Sequence, residues 1–362
     1  MTAIITQADA LGELCERLSG CERIALDTEF MRERTYRPQL CLVQLHAPAL
    51  AAPALVDPLA LASLEPLAQL LQATAVRKVL HAARQDLEAL WPLAKPVRAV
   101  FDTQLAAALG GAPPQAGYAT LVEQYLGLRL AKAHTRTDWA SRPLREEQLH
   151  YAAEDVLHLL PLADALLERL QRLGRLPWLD EELETAHAGL DIVQDPDEAW
   201  RRIKGLGSLD PDRRRLAIRL AAWREREADE RNRPRNWILD DAVLRAIITD
   251  PPRTAADVMA LQGLGERHAG KLAPALLEII AASALPAKLP PTPRSARPDA
   301  AFTQLVKRYA QVVRDIAAQQ ELAPELLATR RDLERLAQGD RDIAALRGWR
   351  AGLLGNALAA AG

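Results

Sequence analysis

The chain has 362 residues, of which 49% are apolar and 26% charged, and its net charge is −2 at neutral pH. This length favours more than one domain, and the nearly even charge balance excludes a uniformly basic polyanion-binding protein. No apolar run is long enough to cross a bilayer, and the first residues lack the basic and apolar regions of a signal peptide. We therefore expect a soluble, cytoplasmic protein with no membrane partner.

The first half of the chain alternates strand-like and helix-like segments. Short apolar runs bounded by turn residues predict buried strands at 23–27, 40–46, 54–57, 77–80 and 99–101. Amphipathic stretches between them predict helices at 7–18, 61–72, 84–91 and 103–109. Early strands joined by short turns should pair antiparallel, and later strands joined by helices should pair parallel. The pattern predicts an α/β fold with a mixed sheet.

The pattern changes along the rest of the chain. A polar, irregular segment at 129–143 precedes a predicted long helix at 144–174 and another at 176–189. From about Trp200 onward strand signals vanish, and the sequence predicts helical modules separated by a stiff, proline-rich linker at 286–298. Residues 1–195 carry 18 basic and 26 acidic side chains, whereas residues 196–362 carry 28 and 22. An acidic half joined to a basic half suits a nuclease with a separate nucleic-acid-holding part.

Four carboxylates and one tyrosine, in three short motifs, are the candidate catalytic residues. Asp27 and Glu29 end a predicted strand, Asp86 opens a predicted helix, and Tyr151 and Asp155 lie on the long predicted helix. Residues two apart on a strand, or four apart on a helix, share a face, so each pair can converge while Thr28 turns away.

The residue types suit phosphodiester cleavage. Two divalent metal ions can activate a water molecule and stabilise the leaving oxygen. Mg²⁺ and Mn²⁺ prefer carboxylate oxygens and water as ligands. Converging carboxylates repel one another, so such a cluster is costly to build without cations. The three motifs therefore predict a divalent-metal site that cuts phosphodiesters.

On these motifs the sequence resembles the ribonuclease D family of DEDD exonucleases, in its tyrosine-type form. Further stretches fit the same family, namely 35–40, 55–59, 136–139 and 142–144, so the resemblance covers nearly the whole chain. It implies a ribonuclease-H-like sheet and a metal-dependent 3′→5′ exoribonuclease that releases 5′-mononucleotides from single-stranded RNA 3′ ends. It also implies a role in trimming precursor transfer RNA, with no obligate protein partner and a monomeric state.

The resemblance assigns roles to the motif residues. Asp27, Glu29, Asp86 and Asp155 would hold two divalent ions, Mg²⁺ or Mn²⁺, and Tyr151 would position the attacking water.

The helical half resembles HRDC domains, which also occur in some helicases. We expect an exonuclease domain at 1–195, a first HRDC domain at 205–285, the linker at 286–298 and a diverged, HRDC-like second domain at 299–362. The arginines between 213 and 235 could hold phosphates, or they could form a salt-bridged surface with the acidic residues among them.

A histidine next to the motif tyrosine offers a second assignment, because a sister subgroup uses a histidine five residues before its last aspartate. His150 stands at that position. On a straight helix Tyr151 lies ~40° from Asp155, whereas His150 lies ~140° away. The spacing favours Tyr151 as the residue that orients water.

Residues around the motifs are candidate substrate contacts. Phe30 could stack on the terminal base or pack in the core, and Gln44 and His81 could contact the terminal sugar or phosphate. The loop before the third motif could contact phosphate. The full set of candidates is Thr28, Phe30, Gln44, His81, Lys132, Arg136 and Thr137.

Two other functions remain open. One is a tyrosine-type exonuclease that acts on DNA. The other is an RNA-binding scaffold whose exonuclease fold has lost activity, although an intact acidic ligand set argues against it.

Overall fold

The computed structural model describes residues 4–130, 137–188, 195–204, 206, 209–283 and 300–362. The chain folds into two compact units. The first comprises residues 1–31, 40–190 and 298–362, and the second comprises residues 32–39 and 191–297. No helix among the described residues is long and apolar enough to cross a bilayer.

A mixed sheet forms the centre of the first unit. Its strands, as far as the structure describes the chain, are β1 (Ile4–Ile5), β2 (Arg23–Met31), β3 (Gln39–His46), β4 (Ala54–Val56), β5 (Arg77–Leu80) and β6 (Val100–Asp102). They lie in the order β1-β4-β3-β2-β5-β6. β3 pairs antiparallel with β4, while β5 pairs parallel with both β2 and β6. These pairings agree with the predicted mixed sheet.

Helices cover both faces of this sheet. They are α1 (Ala8–Ser19), α2 (Glu65–Gln72), α3 (Arg84–Leu90), α4 (Thr103–Leu109), α5 (Tyr118–Leu126), α6 (Glu146–Leu157), α7 (Leu159–Leu173) and α8 (Leu176–Ala188). Alternate residues of β2 enter different cores: Ile24 and Leu26 pack in the core shared with α1, α2 and α3, and Ala25 packs in the core shared with α7. This alternation follows from the pleat of a strand that is buried on both faces.

The predicted single helix at 144–174 is wrong, because the chain breaks it at His158 into α6 and α7. Pro161 has no N–H group to bond the carbonyl of Leu157, so a continuous helix loses a hydrogen bond there. The Tyr118 hydroxyl occupies the break: it accepts a hydrogen bond from the His158 N–H at 3.2 Å and donates one to the Glu154 carbonyl at 3.3 Å. An inserted side chain of this kind bends a helix.

The second unit is helical within its described residues. A 3₁₀ turn at Pro196–Arg202 precedes α9 (Pro211–Glu230), α10 (Arg235–Ile238), α11 (Asp241–Thr249), α12 (Ala255–Met259) and α13 (Glu266–Ser283). Several arginines of the 213–235 region form ion pairs, among them Arg224 with Asp241 and Arg231 with Glu227. These contacts favour the salt-bridged interpretation for part of that surface.

Residues 32–39, which connect β2 to β3 along the chain, belong to the second unit. The Arg37 guanidinium binds Asp229 through two hydrogen bonds of 2.7 Å. The Tyr36 hydroxyl donates to Glu225 at 2.6 Å, and Glu225 is only 2% exposed. Within the second unit, segment 32–39 is therefore held by α9.

The first unit is completed by α14 (Ala300–Gln319), α15 (Pro324–Leu327), α16 (Arg330–Ala337) and α17 (Gly348–Ala361). Their apolar residues join the same core as α7 and α8. Trp349 stacks on Trp178 with ring centroids 4.6 Å apart, and the Trp349 indole N–H donates to Glu182 at 2.8 Å. Trp349 is buried and belongs to this core. The domain boundaries expected from the sequence stay predictions.

Candidate active site

Strand β2 brings the first two candidate carboxylates to one place. It lies between β3 and β5, and its pleat directs Asp27 and Glu29 to the same side. Carboxylate oxygens of Asp27, Glu29 and Asp155 all lie within 4.8 Å of one another. Residues distant in sequence therefore form one acidic cluster, as the motifs predicted.

Asp86 reaches this cluster from α3. Its side chain is 7% exposed, and its Oδ1 accepts a hydrogen bond from the Thr28 hydroxyl at 2.6 Å. Thr28, which is buried on β2, is therefore in contact with a motif carboxylate. Its predicted contact with substrate stays a prediction.

Helix α6 supplies the third motif. Tyr151 and Asp155 lie four residues apart, and the Tyr151 hydroxyl lies near enough to the Asp155 carboxylate to influence its pKa. The His150 side chain is 75% exposed, and its Nε2 lies 3.7 Å from Glu154. The helical geometry thus brings the tyrosine, rather than the histidine, to the acidic cluster.

The electrostatics of the cluster are unfavourable for ionised carboxylates. Burial, with the neighbouring carboxylates adding to it, raises the pKa of Glu29 to about 8. Burial followed by the charges of Asp86 and Asp155 raises the pKa of Asp27 well above its ordinary value. Burial also raises the pKa of Asp86 and of Asp155 to about 7, against the lowering effect of hydrogen bonds from Thr28 and Tyr151. Hard cations would relieve this repulsion, so the donor set fits divalent metal.

The candidate substrate contacts fall in different environments. Phe30 is half-buried on β2, and Thr137 lines a small recess with Trp139 and Tyr151. Gln44 is completely buried on β3, and neither polar atom of its amide has a hydrogen-bond partner among the residues that the structure describes, so a contact with substrate would require a conformational change. Lys132 and Arg136 lie outside the described residues.

His81 directly follows β5 and is half-buried. Its Nδ1 is 2.9 Å from the Thr103 hydroxyl, and its ring packs 5.8 Å from that of Tyr118. Its other nitrogen, Nε2, is buried without a hydrogen-bond partner among the described residues. These contacts hold the ring in place and leave its role toward substrate a prediction.

An ion pair between buried Asp57 and partly exposed Arg142, which the sequence did not reveal, supports the loop before α6. Arg142 binds both oxygens of Asp57, at 2.6 and 2.7 Å, and also donates to the carbonyls of Trp139 and Cys41. Asp57 is 3% exposed. Both residues stand in stretches that resemble the family, and this resemblance could have drawn attention to them. The sequence does not reveal that they pair.

Comparison with known proteins gives one consistent result. A family model described as a 3′-5′ exonuclease matches residues 2–171, and one described as an HRDC domain matches residues 213–280. The chain is 41% identical over 364 residues to ribonuclease D of Acidiphilium cryptum, covering 98% of this chain and 91% of that one. It is 34% identical over 366 residues to ribonuclease D of Escherichia coli K12, covering 98% and 96% of the two chains.

The solved structures agree with the sequence relatives. The crystal structure of Escherichia coli RNase D, described as an exoribonuclease involved in structured RNA processing, superposes with a TM-score of 0.89 at 32% identity. The match covers 100% of this chain and 98% of that one. The predicted fold class is confirmed: an exonuclease domain with a mixed sheet is followed by a helical HRDC domain. The HRDC-like nature of residues 299–362 stays a prediction.

Proposed function

Because this chain belongs to the ribonuclease D family, we propose that it trims the 3′ ends of precursor transfer RNA. The chain is a hydrolase, a 3′→5′ exoribonuclease whose fold implies dependence on divalent metal. The observation that carries the metal-dependent nuclease assignment is the convergence of carboxylates from β2, α3 and α6 near the Tyr151 hydroxyl. A scaffold protein would gain nothing from keeping such a destabilising cluster.

The proposed cofactors are two divalent ions, Mg²⁺ or Mn²⁺. Asp27, Glu29, Asp86 and Asp155 would hold them, directly or through water. When bound, such ions activate water and stabilise the negative charge that develops on the leaving oxygen. The raised pKa values of the metal-free carboxylates support this assignment, because cations would favour the ionised forms.

The side chains around the cluster would orient the reactants. Tyr151, whose hydroxyl lies near Asp155, would position the water that attacks the last phosphodiester. Phe30, His81 and Thr137 would contact the terminal nucleotide, and no covalent intermediate is needed. His150 would stay outside the reaction, since most of its side chain faces solvent.

The substrate and setting are also proposals. We propose single-stranded 3′ ends of precursor transfer RNA as substrate, a monomeric enzyme and a cytoplasmic location. The description of the Escherichia coli relative as an enzyme of structured RNA processing supports an RNA with folded parts. The HRDC domain, with its arginine-rich α9, would supply electrostatic contacts to the body of the RNA.

The test is digestion of 5′-labelled RNA by the wild-type enzyme and by Asp155→Asn. The proposal expects a ladder shortened from the 3′ end and loss of cleavage in Asp155→Asn. It also expects release of 5′-mononucleotides, inhibition by a chelator and recovery with Mg²⁺ or Mn²⁺. Faster digestion of single-stranded DNA than of RNA would favour the DNA-directed alternative. Equal activity of the variant would remove Asp155 from the site.

Comparison of two RNA substrates tests the physiological role. A precursor transfer RNA with a 3′ trailer should be shortened to a defined stop near the folded acceptor stem. An unstructured RNA of equal length should be degraded further. Digestion of both without any stop would argue against the processing role while leaving the exonuclease itself intact.

A further inference from the structure

The turn that joins β5 to α3 is held by the last residue of β6. Asp102 accepts hydrogen bonds from the backbone N–H of Ala82 on Oδ1 and of Ala83 on Oδ2, each at 3.0 Å. Its Oδ1 also accepts from the N–H of Gln104 at 2.8 Å, which caps α4. One carboxylate thus ties the start of α4 to the turn that leads into α3.

Thr103, the residue after Asp102, contacts the two residues that precede Ala82. Thr103 is completely buried, and its hydroxyl donates to the Leu80 carbonyl at 3.0 Å. Because that proton is used, the Thr103 oxygen accepts from His81, whose Nδ1 lies 2.9 Å away. Asp102 and Thr103 together therefore bind four consecutive residues, 80–83, which we term the β5–α3 turn.

This turn requires support because its backbone is strained. Ala82 has a φ of +53°, in the left-handed region that costs a residue with a Cβ atom roughly 1–2 kcal/mol. The helix that follows has only 7 residues, too few to be stable without its surroundings. Asp86 lies in the first turn of that helix, so its direction depends on how the strained turn is fixed.

We propose that Asp102 and Thr103 are positioning residues that fix Asp86 in the orientation required for metal binding. The inference rests on the proposed role of Asp86 as a metal ligand. Neither residue reaches the reacting atoms itself, since both oxygens of Asp102 face backbone N–H groups and Thr103 is buried. Residues that orient metal ligands in this way commonly change metal affinity by about 10–100-fold when they are replaced.

The test is Mn²⁺ binding to the RNA-free protein, measured by isothermal titration calorimetry on variants whose fold is checked by circular dichroism. In Asp102→Asn the remaining oxygen can still cap α4, whereas the new NH₂ group opposes the N–H of Ala83. Thr103→Val removes the hydroxyl without changing charge or shape. We expect each variant to remain folded and to bind Mn²⁺ about 10-fold more weakly.

Two further variants serve as controls for the Mn²⁺-binding measurement. Asp240→Asn changes another aspartate that caps a helix, α11, by accepting from the Ala242 N–H at 2.7 Å, and it should bind Mn²⁺ like the wild type. Asp86→Asn gives the loss of Mn²⁺ affinity that is expected when the proposed ligand itself is altered.

The possible outcomes separate the two claims. Wild-type affinity in Asp102→Asn and Thr103→Val, together with weak binding by Asp86→Asn, would overturn the positioning role alone. Weaker binding in Asp102→Asn but not in Thr103→Val would assign the effect to the lost charge and would also overturn it. Wild-type affinity in Asp86→Asn would remove the proposed ligand, and the positioning role with it. If Asp102→Asn does not fold, Thr103→Val decides.

Discussion

Replacing Glu29 by glutamine should stabilise the metal-free protein, although the same change should impair metal binding. Burial and the neighbouring carboxylates raise the pKa of Glu29 from 4.5 to about 8. Each pH unit of pKa change corresponds to about 1.4 kcal/mol. The rise therefore makes ionisation of Glu29 in the folded protein roughly 5 kcal/mol less favourable than in the unfolded chain. Neighbouring carboxylates titrate together with Glu29 and share the repulsion, so we expect about 2 kcal/mol of stabilisation in Glu29→Gln.

The sign of the pH dependence follows from proton uptake. Below pH 4.5 both states of the wild type hold the Glu29 proton. Between 4.5 and about 8 the unfolded chain ionises while the folded protein keeps its proton, so wild-type stability falls as pH rises. The advantage of Glu29→Gln should therefore be small near pH 5 and reach its full size above pH 8.

The assay is thermal unfolding in a chelator at pH 5 and at pH 8.5. A gain of about 2 kcal/mol corresponds to a melting temperature higher by roughly 4–8 °C for a unit of this size. Added Mn²⁺ should raise the melting temperature of the wild type more than that of the variant, because binding to the folded state stabilises it. Glu13→Gln, which changes an exposed glutamate on α1, is the matched control, and its melting temperature should equal that of the wild type. Equal stability of Glu29→Gln and wild type at pH 8.5 would refute the electrostatic argument.

Four other substitutions test separate parts of the structure. Tyr151→Phe should lower kcat by about 100-fold or more with little change in KM, because it removes a hydroxyl from the site. His150→Ala should keep kcat within about twofold of the wild-type value. Steady-state digestion of labelled RNA measures both variants. Arg142→Lys should lower the free energy of unfolding by about 1–2 kcal/mol, because lysine keeps the charge but cannot bind both oxygens of buried Asp57; urea unfolding measures it. Tyr118→Phe should cost about 1–2 kcal/mol in the same assay, because the helix break loses its bridging hydroxyl.

Each of these expectations has a result that contradicts it. Loss of activity in His150→Ala with intact turnover in Tyr151→Phe would reverse the assignment of the two neighbours. An unchanged urea midpoint in Arg142→Lys would mean that the ion pair adds nothing to stability. A wild-type midpoint in Tyr118→Phe would mean that the proline alone maintains the break.

The sequence predicted most of the sheet because strands buried on both faces leave continuous apolar runs. It missed β1, whose 2 residues, Ile4 and Ile5, are too short to carry a period. It also extended one helix through His158, because the apolar spacing continues across the break. Pro161 is a local signal of the break, but the Tyr118 hydroxyl that bridges it comes from forty positions away, and local periodicity does not detect such a side chain.

The candidate site, like the fold, was only partly predictable from the sequence. The convergence of the motif carboxylates was predicted because their residue types and spacing suit metal chemistry. The Asp57–Arg142 pair and the contacts of Asp102 were not, because their partners are backbone groups or residues far along the chain. Such contacts depend on the packed structure, and composition or spacing alone does not specify them.

The shared core of α7, α8 and α14–α17 constrains how the chain can mature during translation. When residues 1–190 have emerged from the ribosome, the apolar surfaces of α7 and α8 still lack their partners, which lie more than a hundred residues downstream. The nascent exonuclease region must remain incomplete while the whole second unit is synthesised, and at this stage exposed apolar surface favours misassociation. A premature stop before residue 300 would therefore yield an aggregation-prone fragment rather than a smaller working nuclease.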